Sequence, residues 1–156
     1  KPVPPLNLVG DYGGGAMVLV CGMLAALLES QKSGKGQVID EAMTDGSAVL
    51  MSIFNSLHKM GLWKTDRVIN MLVSGAHYFD PYEFKDGKFV SIGSIEPQFY
   101  ALLMQKAELS PEDFKSQNNS NKWPEQKEKL TKIFKSKTQA EWCEIMEGSD
   151  VCIAPV

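Results

Sequence analysis

The sequence has 156 residues, of which 44% are hydrophobic and 22% are charged, and its formal net charge is −3. This composition is typical of globular proteins and excludes a chain that is disordered throughout. Sixteen Lys and Arg residues against nineteen Asp and Glu residues leave no overall positive charge to attract nucleic acid. Nucleic acid is therefore not an expected partner.

The cysteines indicate a reducing environment, and the chain ends indicate a longer parent protein. Cys21, Cys143 and Cys152 form no CxxC pair, so a reduced, intracellular protein without a disulfide framework or a zinc site is the simplest interpretation. The sequence starts at Lys1 with neither a charged leader nor an apolar secretory segment, and it ends on the strand-like run 151–156. We interpret both ends as cuts through a longer protein.

A loop and a strongly apolar helix are predicted first. After an extended, proline-rich start at residues 1–5, the glycines of residues 6–15 predict a loop. Residues 16–30 are apolar on nearly every face, which is typical of a helix enclosed on all sides. Its uncharged stretch, Ala16–Leu28, has 13 residues, fewer than the ~20 that a membrane span needs. We therefore expect a core helix and no membrane.

A strand, a second helix and a linker follow. Residues 37–40 predict a short strand, and apolar residues spaced by threes and fours predict a helix over about 41–60. The two helices need covering layers that the chain itself does not obviously supply. Residues 61–75 have mixed character and no sustained period, so this segment is a candidate linker.

Residues 76–156 predict a small α+β unit. Two aromatic and β-branched runs, residues 77–84 and 88–92, flank an Asp-Gly pair that favours a hairpin turn, and Pro81 assigns the first run to a sheet edge. Three start signals predict helices: Pro97, Pro124 and the capping box Thr138–Glu141. The polar run 117–122 is interpreted as a loop.

Two carboxylates stand out as candidate site residues. Asp11 precedes a glycine cluster that opens a helix, so it either presents a carboxylate at the floor of a pocket or caps the helix. Glu96 comes before Pro97, at a cap position where Ser, Thr, Asp or Asn is preferred. A broken local rule of this kind is enriched at functional sites, although a solvated Glu near a helix start is also ordinary.

Other polar residues favour structural interpretations. His58 and His77 have no carboxylate or Cys at ligand spacing, so each is interpreted as a core-edge or surface histidine. The pairs Asp40–Glu41 and Thr44–Asp45 are expected to cap the second helix rather than to share a catalytic proton.

Four motifs together resemble those of the α-methylacyl-CoA racemases, which belong to the family III CoA-transferase superfamily. They are Gly10–Gly15 (GDYGGG), Gly34–Asp40 (GKGQVID), Ile95–Tyr100 (IEPQFY) and Glu141–Trp142. The resemblance covers essentially all 156 residues in order. It corresponds to the middle of the family's chain.

The resemblance implies an isomerase that interconverts (R)- and (S)-2-methylacyl-CoA thioesters by removing the α-proton and returning it on the other face. In the family an aspartate and a histidine exchange this proton, and a glutamate supports the histidine. The aspartate matches Asp11 and the glutamate matches Glu96. The histidine lies upstream of Lys1, and neither His58 nor His77 occupies its position, so the chain by itself is expected to be inactive.

The resemblance also implies the fold and the partners. We expect an α/β protein in which residues 1–60 are the helical part of a Rossmann-like large domain and residues 76–156 a small α+β domain. The parent fold is an interlocked homodimer whose active site lies between the large domain of one subunit and the small domain of the other. No metal or redox cofactor is implied, because CoA is part of the substrate. The CoA-binding residues lie mostly upstream of Lys1, and a peroxisome or mitochondrion is the implied location.

Two alternatives remain open at this stage. The first is an acyl-CoA transferase of the same superfamily, in which Asp11 would attack an acyl group and carry it covalently. The glutamate motif around Glu96 favours the racemase, because the transferases more often have a glycine-rich loop there. The second is a non-catalytic dimerisation or interaction fragment, which the missing upstream histidine favours for the isolated chain.

Overall fold

Trp63 and Lys64 mark the boundary between two units of the chain in the computed structural model, which describes residues 5–156. The boundary falls inside the segment 61–75. Residues 1–4, most of the proline-rich start, lie outside the described residues. Within the described chain, the regular structure of the first unit is helical, whereas the second unit combines helices with a small sheet.

The first unit begins with one long helix. A π-helical segment, Leu8–Met17, leads directly into α1, Val18–Ser33. Its wide turns are seen in the hydrogen bond that the Tyr12 amide donates to the carbonyl of Asn7, five residues back, at 3.1 Å. The predicted loop over residues 6–15 is therefore wrong from Leu8 onward. Glycine disfavours a helix in isolation, but packing against the next helix overrides that preference.

Two short helices complete the first unit, α2 at Met43–Leu50 and α3 at Ser52–Lys59. The helix predicted over 41–60 is broken at Met51, where ψ is 0°. The strand predicted over residues 37–40 is wrong, because the described part of this unit contains no other strand with which it could pair.

Glycines let α2 cross the π-helical segment at backbone distance. Gly14 and Gly46 are both buried at the crossing. A Cβ built on Gly14 would lie 2.6 Å from the amide nitrogen of Ser47, and one built on Gly46 would fall onto the carbonyl oxygen of Gly14. Met43 and Leu50 lie one turn to either side on the same face of α2 and cover the neighbouring glycines. A helix therefore fills the space beside these glycines.

The long helix is exposed rather than enclosed. No residue of α1 is buried, and Leu24 and Leu27 are 57% and 60% exposed. The expectation of a helix covered on all sides is wrong for residues 5–156, because these residues do not supply the covering layers.

The length of this helix also overturns the sequence argument against a membrane span. From Leu8 to Ser33 it has 26 residues, and its length and composition would allow it to cross a bilayer. The count of 13 apolar residues is too small because the helix extends beyond both ends of that stretch. Core helices of soluble proteins and signal sequences pass the same test, so length alone assigns no membrane.

The second unit is built on a three-stranded antiparallel sheet. Strand β1, Phe79–Glu83, pairs with β2, Phe89–Gly93, and β2 pairs with β3, Ile153–Pro155. The predicted hairpin is confirmed, with Gly87 at a φ of 76° in its turn. Pro81 lies on an edge strand as predicted, where a missing amide need not break the ladder.

Four helices accompany the sheet: α4 (Pro97–Lys106), α5 (Pro111–Phe114), α6 (Trp123–Phe134) and α7 (Gln139–Met146). Prolines open α4 and α6 as predicted. The predicted capping box of α7 is confirmed, since the Thr138 amide donates to the Glu141 carboxylate at 2.7 Å. Large aromatic side chains dominate the buried core of this unit: Tyr78, Tyr82, Phe84, Tyr100, Phe114, Phe134 and Trp142.

His77 lies inside this core, fully buried, rather than at its edge or at the surface. Its Nε2 atom is 2.7 Å from the Tyr100 hydroxyl, which itself donates to the carbonyl of Phe114 at 2.8 Å. Because the single hydroxyl proton is used on Phe114, Nε2 is the donor to Tyr100. Burial, aided by the positive charge of Lys127, lowers the pKa of His77 from 6.5 to about 4.

Replacement of Gly46 by alanine is expected to destabilise the first unit, although alanine favours helices over glycine by about 1 kcal/mol. The added methyl group would overlap the carbonyl of Gly14, and overpacking costs roughly 1–3 kcal/mol. The urea midpoint of unfolding measures the effect. Gly36→Ala is the matched control, because a Cβ there meets nothing within 4 Å. Equal stability of the two variants would contradict the close crossing.

The second unit is expected to lose stability as the pH falls from 6.5 towards 4. In this range the unfolded chain binds a proton at His77, whereas the folded chain binds it only near its pKa of about 4. A pKa that folding lowers from 6.5 to about 4 corresponds to about 3 kcal/mol in the free energy of unfolding. This contribution to stability is fully present above pH 6.5 and is lost by pH 4. Urea unfolding at a series of pH values measures the slope.

The variant His77→Gln is the control for this pH dependence. Its amide can still donate to the Tyr100 hydroxyl, but it does not titrate. We expect a smaller loss of stability between neutral and acidic pH than in the unmodified chain. An unchanged slope would assign the acid sensitivity to other groups.

Candidate functional site

Asp11 lies within the first turn of the long helix rather than before it. The helix begins at Leu8, with Asn7 at the N-cap position, so the interpretation of Asp11 as the cap is wrong. The residue is exposed. Partial positive charge at this end of the helix favours a carboxylate. The local structure therefore presents an exposed negative group at the start of a helix.

The glycines after Asp11 serve packing. At Gly14 the backbone of Ser47 occupies the space beside the Cα, so a ligand cannot approach the glycine backbone there. Gly13 is similarly covered, since a Cβ built there would lie 3.1 Å from the Leu50 side chain. Any ligand of Asp11 must therefore approach from a side that α2 does not cover.

Glu96 occupies the N-cap position of α4, as predicted. Its backbone is extended, with φ −70° and ψ 144°, and its carbonyl accepts the amide of Tyr100 at 2.9 Å. The Glu96 carboxylate makes no capping hydrogen bond, and the residue is exposed. The backbone of Glu96 thus performs the cap, and its carboxylate is left available for another group.

The two candidate carboxylates belong to different units. Asp11 lies in the unit that ends at Trp63, and Glu96 lies in the unit 64–156. Each is an exposed acid at the start of a helix. Their joint role in one site remains a prediction.

The remaining polar candidates have structural positions. His58 is exposed, and its Nδ1 lies 3.0 Å from the carbonyl of Trp63, in agreement with a surface histidine. The pairs 40–41 and 44–45 do not cap α2, because Ala42 is the N-cap residue and no side chain bonds there. Asp45 instead lies in the first turn of α2.

Gln117 is a residue near Glu96 that the sequence pattern does not mark. Its polar surroundings are typical of a loop, but its side-chain amide contacts the backbone of Ser94 and Ile95. The contact to Ile95 spans 22 residues of sequence. Only the tertiary structure brings the two segments together, so no local pattern in the sequence could have identified Gln117.

No metal cluster is found among residues 5–156, and a cavity in the second unit does not include Glu96. Within residues 5–156, no three side chains of His, Cys, Asp or Glu lie close enough to share a metal ion. A cavity of about 330 Å³ in the second unit is lined by apolar residues such as Phe84 and Trp142 together with Cys143, and Glu96 is not among its lining residues.

Comparison with known proteins places these features in a family. The sequence pattern of CoA-transferase family III matches residues 1–156. The chain is 47% identical over 156 residues to α-methylacyl-CoA racemase of Mus musculus and 42% identical to that of Homo sapiens, and it covers 41% of the length of each. It is 33% identical over 158 residues to the CaiB/baiF CoA-transferase family protein ZK892.4 of Caenorhabditis elegans, of which it covers 44%.

Solved structures share the fold. A variant of Rv3272 from Mycobacterium tuberculosis superposes with a TM-score of 0.72 at 21% identity, covering 100% of this chain and 40% of that protein. Another crystal structure of Rv3272 gives a TM-score of 0.69 at 23% identity, covering 99% of this chain and 41% of that protein. The chain spans about two fifths of the curated relatives it matches. Since the family pattern matches it from end to end, the chain belongs to CoA-transferase family III.

Proposed function

We propose that residues 1–156 are the middle segment of an α-methylacyl-CoA racemase, an isomerase that epimerises 2-methylacyl-CoA thioesters. The observation that carries this proposal is the 47% identity to the Mus musculus racemase over the whole chain. The positions of the two carboxylates support it. Asp11 is an exposed acid in the first turn of a helix, and Glu96 is an N-cap residue whose carboxylate does not cap.

The proposed reaction is a proton transfer at the α-carbon. The thioester carbonyl acidifies the α-proton, and its removal gives a planar enolate that is common to both enantiomers. Asp11 takes or returns the proton on one face, and a histidine upstream of Lys1 acts on the other. Glu96 accepts a hydrogen bond from that histidine and holds its ring in position.

This chemistry requires neither a metal nor a redox cofactor. The proton and the electron pair stay within the substrate and two side chains, so nothing is oxidised or reduced. CoA enters as part of the substrate, and most of its binding residues are proposed to lie upstream of Lys1. The peroxisomal or mitochondrial location that the resemblance implies stays a prediction.

A homodimer is the proposed assembly. Leu24, Leu27 and Leu28 of α1 are 57%, 60% and 60% exposed, which is unfavourable in water by roughly 25 cal/mol per Å² of apolar surface. A second copy that packs against this helix would remove the apolar surface from solvent. The same surface supports the alternative in which the isolated segment is only a dimerisation fragment.

An acyl-CoA transferase is the second candidate. The 33% identity to a Caenorhabditis elegans CaiB/baiF CoA-transferase family protein favours it. Asp11 would then attack the acyl carbonyl, release the CoA thiolate and carry the acyl group as an anhydride. Such a reaction leaves the α-proton in place, which separates it from the racemase.

The first test is solvent deuterium exchange by the full-length protein that includes the segment upstream of Lys1. We expect deuterium at the α-carbon of a 2-methylacyl-CoA, and we expect Asp11→Asn to lower the rate by roughly 10²–10⁴-fold because one proton-transfer group is removed. Asp45→Asn is the matched control, because Asp45 is also an exposed acid in a first helical turn. Mass spectrometry of the recovered ester gives both rates.

Two comparisons interpret the result. CoA transfer between acids without α-proton exchange would replace the racemase with the transferase. The isolated 156-residue chain is expected to have negligible activity, because the proposed histidine is upstream. Turnover by the purified chain would show that both proton-transfer groups lie within it.

The second test concerns assembly. Light scattering across a concentration series is expected to show self-association of the 156-residue chain. Leu24→Asp should weaken it, because a buried interface would then contain an unpaired charge. Val38→Asp is the control, since Val38 is 95% exposed in an irregular segment. A monodisperse monomer that binds no dye for exposed apolar surface would contradict the proposal, and circular dichroism would confirm that both variants fold.

A further inference from the structure

The segment before Glu96 has carbonyl groups that the sheet does not use. Strand β2 ends at Gly93, and α4 begins at Pro97, so the three residues between them belong to no regular element. The side-chain nitrogen of Gln117 donates to the carbonyl of Ile95 at 2.8 Å and lies 3.2 Å from that of Ser94. Both partners are acceptors, so the NH₂ group of the amide must face them.

The other side of this segment is also held in place. Ser94 is fully buried, and its hydroxyl donates to the carbonyl of Val151 at 2.5 Å. The Ile95 amide donates to the carbonyl of Gly93 at 2.8 Å. With the Glu96 carbonyl bonded to the Tyr100 amide at 2.9 Å, the backbone is anchored before and after the carboxylate.

Gln117 is itself fixed rather than mobile on a surface. Its own carbonyl accepts the indole N–H of Trp123 at 2.7 Å, and Trp123 is only 9% exposed in the core. The half-buried Gln117 therefore links the packed start of α6 to the residues that precede Glu96. The backbone that leads to the exposed Glu96 is thereby hydrogen-bonded to a residue that contacts the core.

From this geometry we infer that Gln117 is a positioning residue for the Glu96 carboxylate. It acts through the carbonyls of Ser94 and Ile95 and touches no reacting atom. The inference rests on the proposed function, in which Glu96 orients the upstream histidine. A misplacement of about 1 Å in such a group can cost up to roughly 10² in rate, so the stiffness of this segment matters for turnover.

The test compares two glutamine variants of the full-length protein in the deuterium-exchange assay. Gln117→Met keeps the length of the side chain but removes the donor, and we expect kcat to fall roughly tenfold with little change in KM. Gln139→Met is the matched control. Gln139 is also half-buried and bridges two carbonyls, those of Phe89 at 3.0 Å and Val156 at 3.5 Å. These lie at the start of β2, the opposite end of the strand from the segment that precedes Glu96.

A double-substitution cycle separates positioning from a merely structural role. In a Glu96→Gln background, Gln117→Met is expected to cause little further loss, because the group that it positions has already been changed. Gln117→Asn retains the amide but is one methylene shorter, so its kcat should fall between those of the unmodified protein and Gln117→Met. If Gln117→Met does not fold, the cycle is run with Gln117→Asn.

The outcomes are distinct. An unchanged kcat in the folded Gln117 variant, or a loss that is fully additive with Glu96→Gln, would overturn the positioning role while leaving the racemase intact. A loss of the same size in Gln139→Met would also overturn it, because the effect would then be one of general stability. Absence of exchange in the unmodified full-length protein would instead overturn the proposed function and, with it, this inference.

Discussion

The first unit depends on the contact between two glycines. Gly14 and Gly46 have no side chains at the point where the π-helical segment meets α2, and neither position has room for a Cβ. This close approach explains why a glycine-rich stretch is helical at all, since packing compensates for its poor intrinsic propensity. The crossing also lies within one turn of Asp11, which belongs to the same helix.

In the second unit, contacts with the buried core hold the helix start at which Glu96 lies. This core is aromatic and contains buried polar groups, among them His77, which bonds to the Tyr100 hydroxyl, and Tyr100, which donates to the carbonyl of Phe114. Tyr100 lies near the start of α4, and its amide donates to the carbonyl of Glu96. The exposed acid is thus attached to a helix start that the core holds in place.

The two units differ in how completely they bury their apolar residues. The second has a continuous core, whereas α1 has no buried residue and keeps leucines such as Leu24 in solvent. The chain covers 41% of its mouse and human relatives, so the covering layers of this helix are expected from the rest of a full-length subunit or from a second copy. The proposed racemase reaction likewise requires a histidine from outside these residues.

Local patterns in the sequence determined the second unit well. The Asp-Gly turn, the edge position of Pro81, the prolines that open α4 and α6, and the capping box at Thr138 all act over a few residues, and the structure confirms each of them. The motifs around Asp11 and Glu96 likewise identified the family before any comparison. These features are local, so a single sequence contains the information that defines them.

Only the tertiary structure decided the rest, because the deciding contacts join residues that are distant in the sequence. The glycines of residues 10–15 predict a loop, but in the structure they are helical because α2 packs against them. Residues 37–40 have a strand-like composition, but the described part of the first unit contains no strand with which they could pair. Gln117 gave no signal in a polar loop, yet its amide reaches Ile95 across 22 residues. Propensity and spacing describe neighbours along the chain, whereas close helix crossings, strand pairing and the support of Glu96 depend on partners that only folding brings together.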